Sequence, residues 1–423
     1  MRRVAGAAAL LMMALAPAAA RAGGFELQEQ SGRGLAMAGA QTALADDPAA
    51  IYYNPAGLTF QRGYGSLIGL NVINASTQVN PPGQPQASSN YTAVQPFGYG
   101  AQRLGPHFSV GIGLFTNFAQ HFNYKPENFS ARFLGYFIDI TTVTFNPSVA
   151  IRPIPRLSVG FGLDVVPASI DLYQALSFGS SEGTAHFGAT AVGVGGNVGV
   201  LAILVPRYLT LGVAYRSTVD LDYNGKASIS GPPELASLTG GLRNGATTLT
   251  LPHNFSFALA THPVANLAID VDVHLTLWHE VQSLTLTITD PKAPPGTDPQ
   301  RQTTVLNWQD AVGVRVGGEY RVLDGRLALR VGAGFDFTPV PASTITPLSP
   351  DANRVLVSLG LGWQHHGLSA DVGYLAAILL QRTGTNPDYP GATYQSVGHL
   401  VGINLGLRLE DFLGRLNDPA YKH

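Results

Sequence analysis

Three residues near the middle of the chain have types and spacing that could bind a metal ion. Asp270, Asp272 and His274 are separated by single residues, and alternate side chains of a β-strand project to the same face. Three ligands on one strand leave a zinc site incomplete, so a second strand would have to supply the rest. We therefore interpret them as polar side chains that face an interior lumen, and we expect no bound metal.

Other motifs that could carry chemistry are weak. His365 and His366 fall at a short turn signal, where a solvated loop is the simpler interpretation. The glycines between Gly193 and Gly199 miss the dinucleotide-binding fingerprint, and they lie in a predicted strand instead of opening a helix. No Gly-x-Ser-x-Gly elbow occurs, and no nucleophile is paired with a base at useful spacing. We predict that the protein is not an enzyme and uses no cofactor.

The low content of charged residues predicts a membrane span or an unusually large core. The chain has 423 residues, of which 45% are hydrophobic and only 12% are charged, about half the charge of a soluble globular domain. The absence of cysteine excludes disulfide scaffolds and thiolate metal sites. No basic patch stands out in the sequence, so a nucleic-acid partner is not expected.

Residues 1–22 have the features of a secretory signal peptide. Two arginines follow Met1, an apolar run comes next, and the segment ends in Ala20-Arg21-Ala22. Cleavage after Ala22 would leave 423 − 22 = 401 residues and remove three arginines, which changes the net charge from −2 to 22 − 27 = −5. The sequence therefore predicts an exported protein.

The rest of the chain offers no good candidate for a membrane-spanning helix. The longest weakly charged stretch, residues 188–205, is interrupted by several glycines, a composition that is poor for a helix in lipid. A closed β-barrel is the other architecture that satisfies every backbone polar group in a membrane. The exported product is therefore either a soluble periplasmic protein or a barrel.

Apolar alternation favours the barrel. Branched and aromatic residues alternate with glycine or polar residues in runs of about 9 to 11 residues, the length that a tilted strand needs to cross the hydrocarbon layer. Strands of soluble sandwiches are commonly shorter, about 5 or 6 residues. Short turns alternate with long connectors, the pattern of an outer-membrane barrel. The clearest runs are Leu157–Val165, Leu267–Leu277, Leu327–Phe337, Val355–Trp363 and Val401–Leu409.

Counting such segments predicts the fold class: an all-β, transmembrane, antiparallel up-and-down β-barrel of about 14 strands over residues 61–409. A lumen of this width is too large for side chains alone to fill. Residues 23–60 show no period of two and are rich in small residues, with Ile51 and Tyr52 among them. We predict that they form a plug, or hatch, and that residues 410–423 form a C-terminal tail. The predicted strands are 63–76, 90–102, 106–119, 138–152, 156–172, 188–205, 208–230, 247–262, 265–289, 303–321, 326–340, 353–365, 367–382 and 395–409.

One family shares distinctive stretches of this sequence. The stretch GGFELQEQSGRGLAMAGAQTALADDPAAIYYNPAGLT (23–59) resembles the N-terminal hatch of the FadL-type long-chain fatty-acid transporters of bacterial outer membranes. Four later stretches support the resemblance, which covers essentially the whole mature chain. They are VGIGLFTNF (110–118), LGVAYRSTVDLDYNG (211–225), RVGAGFDFTPVPASTITPLSPDANR (330–354) and LSADVGY (368–374).

The resemblance implies a passive uptake channel for hydrophobic molecules, most of all long-chain fatty acids, in the outer membrane of a Gram-negative bacterium. The ligand would be captured outside, pass inward as the hatch rearranges, and leave sideways into the membrane through an opening at a kink of the third strand. The expected partners are the hydrophobic ligand, outer-membrane lipid and lipopolysaccharide, and we expect a monomer. The matching positions are Phe25 in the pocket, Asn54, Pro55 and Ala56 in the hatch turn, and Thr116, Asn117, Phe118 and Ala119 at the kink.

The sequence departs from this family in two places. Ala119 stands where members often carry glycine, and strand chemistry alone would place the wall defect at Pro96 with Gly98 and Gly100. Ser169 stands where the family has a basic residue that can serve a bound carboxylate.

These departures leave several interpretations open. Another arginine could serve a carboxylate, with Arg315, Arg330 and Arg354 available. Alternatively, the cargo is an aromatic or alkane hydrocarbon. An adhesin or structural barrel without cargo, and more distantly a lipase-like outer-membrane enzyme, are further alternatives.

Overall fold

The structure, a computed structural model, describes residues 23–233, 241–291 and 298–416. The predicted signal peptide lies outside the described residues, as does the end of the predicted tail, residues 417–423. Within the described part, the predicted all-β class is confirmed, because strands make up most of the chain and the helices are short. No described helix is both long and apolar enough to cross a membrane.

Twenty strand segments form one antiparallel sheet that closes on itself. The closure is made by β1 and β20, which pair from Gly65↔Arg408 to Asn80↔Thr393. The segments are β1 (Tyr64–Asn80), β2 (Ala87–Arg103), β3 (Phe108–Phe115), β4 (Ala119–Asn123), β5 (Phe137–Thr142), β6 (Thr144–Ile154), β7 (Leu157–Phe178), β8 (Ser181–Val205), β9 (Leu209–Arg216), β10 (Val219–Ser230), β11 (Leu242–Leu251), β12 (Asn254–Val264), β13 (Leu267–Thr276), β14 (Ser283–Thr289), β15 (Gln300–Val305), β16 (Ala311–Val322), β17 (Leu327–Asp336), β18 (Arg354–His365), β19 (Leu368–Thr383) and β20 (Thr393–Arg408).

Six strands of the barrel are interrupted, so the twenty segments make fourteen strands and confirm the predicted number. The interrupted strands are β3/β4, β5/β6, β9/β10, β11/β12, β13/β14 and β15/β16. The sequence predicted continuous strands at these places, which is wrong. Between β13 and β14, for example, a 3-10 helix (Trp278–Glu280) carries the fully buried Trp278. The 3-10 helix turns the large side chain of Trp278 into the interior, and strand pairing is interrupted at this point.

The two faces of the sheet have opposite chemistry. Large apolar side chains such as Phe161, Leu359 and Ile403 point outward and are about half exposed, which suits contact with lipid chains. Polar and charged residues such as Ser358 and Glu319 are buried on the inner face. Alternate residues of each strand face the lipid and are apolar, which explains the low fraction of charged residues in the sequence.

Short connections mark one end of the barrel. Turns of two to four residues follow β2, β6, β8, β12, β16 and β18, whereas longer connections lie mainly at the other end. In outer-membrane barrels the short turns are periplasmic and the long loops extracellular. β20 ends at the periplasmic end, where a short helix, α3 (Leu409–Leu416), follows it.

Residues 23–60 lie inside the closed sheet. They include α1 (Gly32–Ala36), α2 (Ala50–Tyr53) and a 3-10 helix (Pro55–Phe60). Helix α1 contacts β17 to β20 and β1, while the 3-10 helix contacts β2, β3, β6, β7 and β8. These contacts, together with the hydrogen bonds from Thr42 and Ala43 to Asp272 and Asp270 of β13, require a position in the lumen. Almost every residue from 25 to 45 is buried.

Closure of the barrel can be tested with an engineered disulfide, because the chain has no cysteine. Ile73 lies opposite Leu400 across the β1–β20 seam, and both side chains face the lumen. Directly opposed strand residues have Cβ atoms about 4.5–5.5 Å apart, close enough for a disulfide after small shifts.

We therefore expect the double variant I73C/L400C to cross-link on oxidation, which non-reducing gels or mass spectrometry of a digest would detect. The control is I73C/V401C, in which the second cysteine points to the lipid face. Equal cross-linking of both variants would contradict the register.

Candidate functional site

Phe25 lies in a cluster of aromatic rings inside the barrel. Its ring centroid is 5.7 Å from that of Phe118, 5.1 Å from Trp278 and 6.0 Å from Trp308. The structure therefore brings Phe25 together with one of the predicted kink residues. The two tryptophans were not among the predicted site residues. Both tryptophans interrupt an otherwise regular strand pattern, and this interruption is the feature of the sequence that could have identified them.

The third strand breaks where the kink is predicted. β3 ends at Phe115 and β4 begins at Ala119, and the N-terminal segment takes the place of a neighbouring strand between them. The N–H of Leu27 donates to the carbonyl of Asn117 at 2.8 Å, and the N–H of Ala119 donates to the carbonyl of Phe25 at 3.1 Å. Buried backbone groups need partners, so the segment satisfies groups that the barrel wall leaves open.

Two glutamines complete this junction. Gln30 and Gln95 each donate a side-chain N–H to the carbonyl of Thr116, at 2.5 Å and 2.6 Å, and Gln95 also donates to Oε1 of Gln30 at 3.1 Å. Glu26 forms an isolated antiparallel bridge with Phe118. Thus Thr116, Asn117, Phe118 and Ala119 all lie against the N-terminal segment.

A gap in the wall lies beside this break. β2 pairs with β3 from Arg103 only as far as Gly98, and in the described structure its residues 87–97 pair with β1 alone. Pro96 therefore stands at the edge of the gap, opposite the break in the third strand. The prediction that Gly98 and Gly100 belong to the defect is wrong, since both are paired with β3. The family resemblance therefore pointed to one edge of this gap, at the break in the third strand, and strand chemistry pointed to the other edge, at Pro96.

A first cavity, the gap cavity, has a volume of about 490 Å³ and joins Phe25 to this gap. Its lining includes Pro96 and Ala119, and also Val94 and Leu114, whose side chains are 61% and 46% exposed on the outside of the barrel. The cavity therefore extends from the lumen to the lipid-facing surface.

A second cavity, the outer cavity, lies toward the extracellular ends of the strands and has a volume of about 830 Å³. Its wall is mainly apolar, with Ile170, Phe187 and Leu249 among the lining residues. Phe25 lines both cavities. The ring therefore sits between a space that faces the outside of the cell and a space that opens to the membrane.

The predicted hatch turn lies apart from this centre. Asn54 accepts the N–H of Ala56 at 3.2 Å and donates to the carbonyls of Thr42 at 3.0 Å and Val200 at 3.1 Å. The turn packs so closely on the wall that a Cβ at Gly199 would lie 2.0 Å from Oδ1 of Asn54. Asn54, Pro55 and Ala56 therefore anchor the segment to β8 and do not touch Phe25.

Ion pairs of the buried Arg33 hold the same segment on the opposite side. Arg33 contacts Asp46, Asp47 at 3.3 Å and Glu319 at 3.0 Å. Burial alone would lower the pKa of Arg33, but these carboxylates raise it well above its ordinary value. Sequence reasoning missed this network, although a lone arginine in a small-residue segment was a usable signal.

The three arginines considered for a carboxylate ligand are already paired. Arg315 contacts Glu29 and Asp336, Arg330 contacts Glu319 and Asp371, and Arg354 contacts Asp336. Ser169 has no role inside the barrel either, because its neighbours Ala168 and Ile170 are the buried, inward residues of β7. None of these four residues therefore provides a binding site for the carboxylate of a fatty acid.

Asp270 and Asp272 face the lumen, as predicted. Oδ2 of Asp272 accepts the N–H of Thr42 at 3.0 Å, and Oδ2 of Asp270 accepts the N–H groups of Ala43 and Leu44 at 3.1 and 3.0 Å. Among the described residues, no group of three or more His, Asp or Glu side chains is placed to hold a metal ion. These carboxylates fix the backbone of the N-terminal segment.

Together, a closed lipid-facing barrel, a lumen filled by its own N-terminal segment and a wall gap define an outer-membrane channel for hydrophobic compounds. The chain belongs to the outer membrane protein transport protein family (OMPP1/FadL/TodX), whose model matches residues 13–399. The family consists of transport channels and not enzymes, and its members are outer-membrane proteins of Gram-negative bacteria.

Relatives cover most of the chain. A long-chain fatty acid transport protein of Escherichia coli strain CFT073 is 26% identical over 402 residues, which span 85% of this chain and 88% of that protein. The 47 kDa outer membrane protein of Pasteurella multocida is 26% identical over 429 residues, 94% of this chain and 97% of that protein.

Solved structures share the fold. A Pseudomonas aeruginosa FadL homologue has a TM-score of 0.81 and 19% identity, covering 92% of this chain and 100% of its own. The Pseudomonas putida toluene transporter TodX has a TM-score of 0.71 and 18% identity, covering 90% and 99%.

Replacing Asn54 tests the anchor. Asn54→Ala leaves two carbonyls and one N–H without their partners, at a cost of about 1–3 kcal/mol each. We expect amide hydrogen exchange over residues 42–58 to accelerate roughly ten- to hundredfold, measured by mass spectrometry. The control is Asn74→Ala, which removes an exposed bond to Thr92 and should change nothing there. Unaltered exchange in N54A would show that this turn is not an anchor.

Proposed function

We propose that the protein is a monomeric, passive channel that takes up long-chain fatty acids across the outer membrane. The ligand enters the outer cavity, passes Phe25 when the N-terminal segment rearranges, and leaves through the wall gap into the membrane. The observation that carries this proposal is the position of Phe25 between the two cavities. No energy source is needed, because apolar chains move from water to apolar surroundings with favourable free energy.

The way in which the segment is held supports its role as a hatch. Residues near Phe25 contact the third strand through a few backbone bonds, whereas Arg33 and Asn54 hold the later part of the segment firmly. A short N-terminal stretch can therefore move while the remainder stays in place. Asn254 and Thr276 also donate side-chain hydrogen bonds to the carboxyl group of Glu26, and these bonds must break when the stretch moves.

The choice of cargo is supported by the relatives and by one cation. Proteins named long-chain fatty acid transport proteins are 26% identical to this chain, while two named toluene transporters of known structure are 19% and 18% identical. Arg243 lines the outer cavity and belongs to the inward-facing set of β11 with Gly245 and Thr247. A guanidinium group at this position can form charge-assisted hydrogen bonds with a carboxylate, and Arg243 forms no ion pair with a described residue.

A reversible lock tests the moving segment. Glu26 and Phe118 lie opposite each other in the bridge that joins the segment to the third strand. In E26C/F118C, oxidation would tie them together, and we expect radiolabelled oleate entry into cells to stop under oxidant and return with reductant.

The two single variants, treated identically, are the controls for the substitutions themselves. Undiminished oleate entry in cross-linked protein would contradict the hatch mechanism. A cargo-free adhesin or structural barrel predicts no oleate entry in any of these variants.

Arg243 provides a test of the cargo. We expect Arg243→Gln to weaken oleate binding on the order of tenfold, because a charge-assisted bond to the carboxylate is lost, whereas toluene entry stays unchanged. Arg243→Lys should retain most of the affinity. R301Q, at an exposed arginine of β15, is the matched control. Equal oleate binding by R243Q and the natural protein, together with efficient toluene entry, would favour a hydrocarbon cargo instead.

A further inference from the structure

Three periplasmic turns bring positive charge to one side of the barrel rim. They carry Arg103, Arg152, Arg156 and Arg207, and the stretches 103–109, 151–157 and 203–209 contain no acidic residue. The four arginines are far apart in the sequence, so no basic patch is visible there. We call these three turns the basic arc.

The turns of the basic arc are neighbours in the sheet. β3 pairs with β6 and β7 pairs with β8, so the turns after β2, β6 and β8 follow one another round the rim. Backbone bonds join them directly: the N–H of Arg152 donates to the carbonyl of His107, and the N–H of Ile203 donates to that of Arg156, both at 2.8 Å.

The charge of these arginines is not neutralised within the described structure. Arg103 donates to the carbonyls of Gly105 and Pro106, and Arg152 donates to that of Pro155. Carbonyls hold these side chains in place without cancelling their charge, and Arg156 and Arg207 are exposed. None of the four forms an ion pair with a described residue. The result is a fixed set of cations at the rim.

Exposed apolar side chains alternate with these arginines. Leu104, Ile154 and Leu204 are 56%, 54% and 47% exposed, and they continue the outward-facing apolar surface of the same strands, such as Ile151 and Phe161. Such a surface fits the boundary between acyl chains and head groups, where apolar residues enter the membrane and arginines meet the head groups.

We propose that the basic arc binds anionic phospholipid in the inner leaflet of the outer membrane, with phosphate at the arginines and acyl chains against the adjoining apolar residues. The guanidinium group suits phosphate because its planar set of donors can bind two oxygens. Lipid is the occupant because the cations are continuous with the lipid-facing wall. The site lies at the periplasmic end of β2 and β3, below the wall gap.

The experiment uses the full-length mature protein in nanodiscs with equal phosphatidylglycerol and phosphatidylcholine. After detergent extraction, mass spectrometry measures the lipid that stays bound. We expect at least about fivefold enrichment of phosphatidylglycerol, since a single arginine near the surface already contributes on the order of a fivefold preference. Raising the salt concentration should reduce the enrichment.

The variant R156Q/R207Q changes the two exposed arginines and leaves intact those that hold the turns. It should lose most of the enrichment, whereas R156K/R207K should keep it. The control, K125Q/R301Q, removes two exposed charges from the extracellular half and should behave as the natural protein. Heat-modifiable gel migration confirms that every variant is folded.

Equal retention of the two lipids by the natural protein would overturn the proposal. Undiminished enrichment in R156Q/R207Q, or an equal loss in K125Q/R301Q, would overturn the assignment to the basic arc.

Discussion

Hydrogen bonding of the backbone inside a membrane is the constraint on which the whole structure depends. Lipid chains offer no partner for an exposed N–H or C=O group, so a sheet that spans the bilayer must close on itself. The pairing of β1 with β20 meets this requirement. Closure creates a wide lumen, and the N-terminal segment occupies it because its small residues fit closely against the inner faces of the strands.

The same constraint explains the relation between the wall gap and the N-terminal segment. Where β2 and the third strand separate, Phe25 and Leu27 provide the backbone partners that a neighbouring strand would supply. The segment is therefore part of the wall's hydrogen bonding as well as the contents of the lumen. In the proposed mechanism, a change in its position would alter both the path between the cavities and the state of the gap. This coupling is the physical basis of the hatch that we propose.

Electrostatics divides the molecule into three zones. Buried pairs such as Arg33–Glu319 fix the segment inside the lumen, where unpaired charge would be costly. The cavities are lined mainly by apolar groups, and the charged groups that border the gap cavity, such as Arg315 and Asp336, are paired. Arginines without an ion pair to a described residue, such as Arg156, lie at the periplasmic rim, where water and head groups can solvate them. Each zone follows from the cost of placing charge in its surroundings.

The sequence by itself determined the fold class and the strand number, because alternation and chain punctuation are local properties. The break of the third strand was predicted by the resemblance to the family, whereas strand chemistry alone pointed to Pro96, Gly98 and Gly100. The resemblance also identified Phe25 and the turn at Asn54. Only the tertiary structure decided that Pro96 faces the break across one gap and that Phe25 meets Trp278. It also revealed that Arg315 is already paired. These relations depend on register and closure, which bring together residues far apart in the chain, and no local pattern records them.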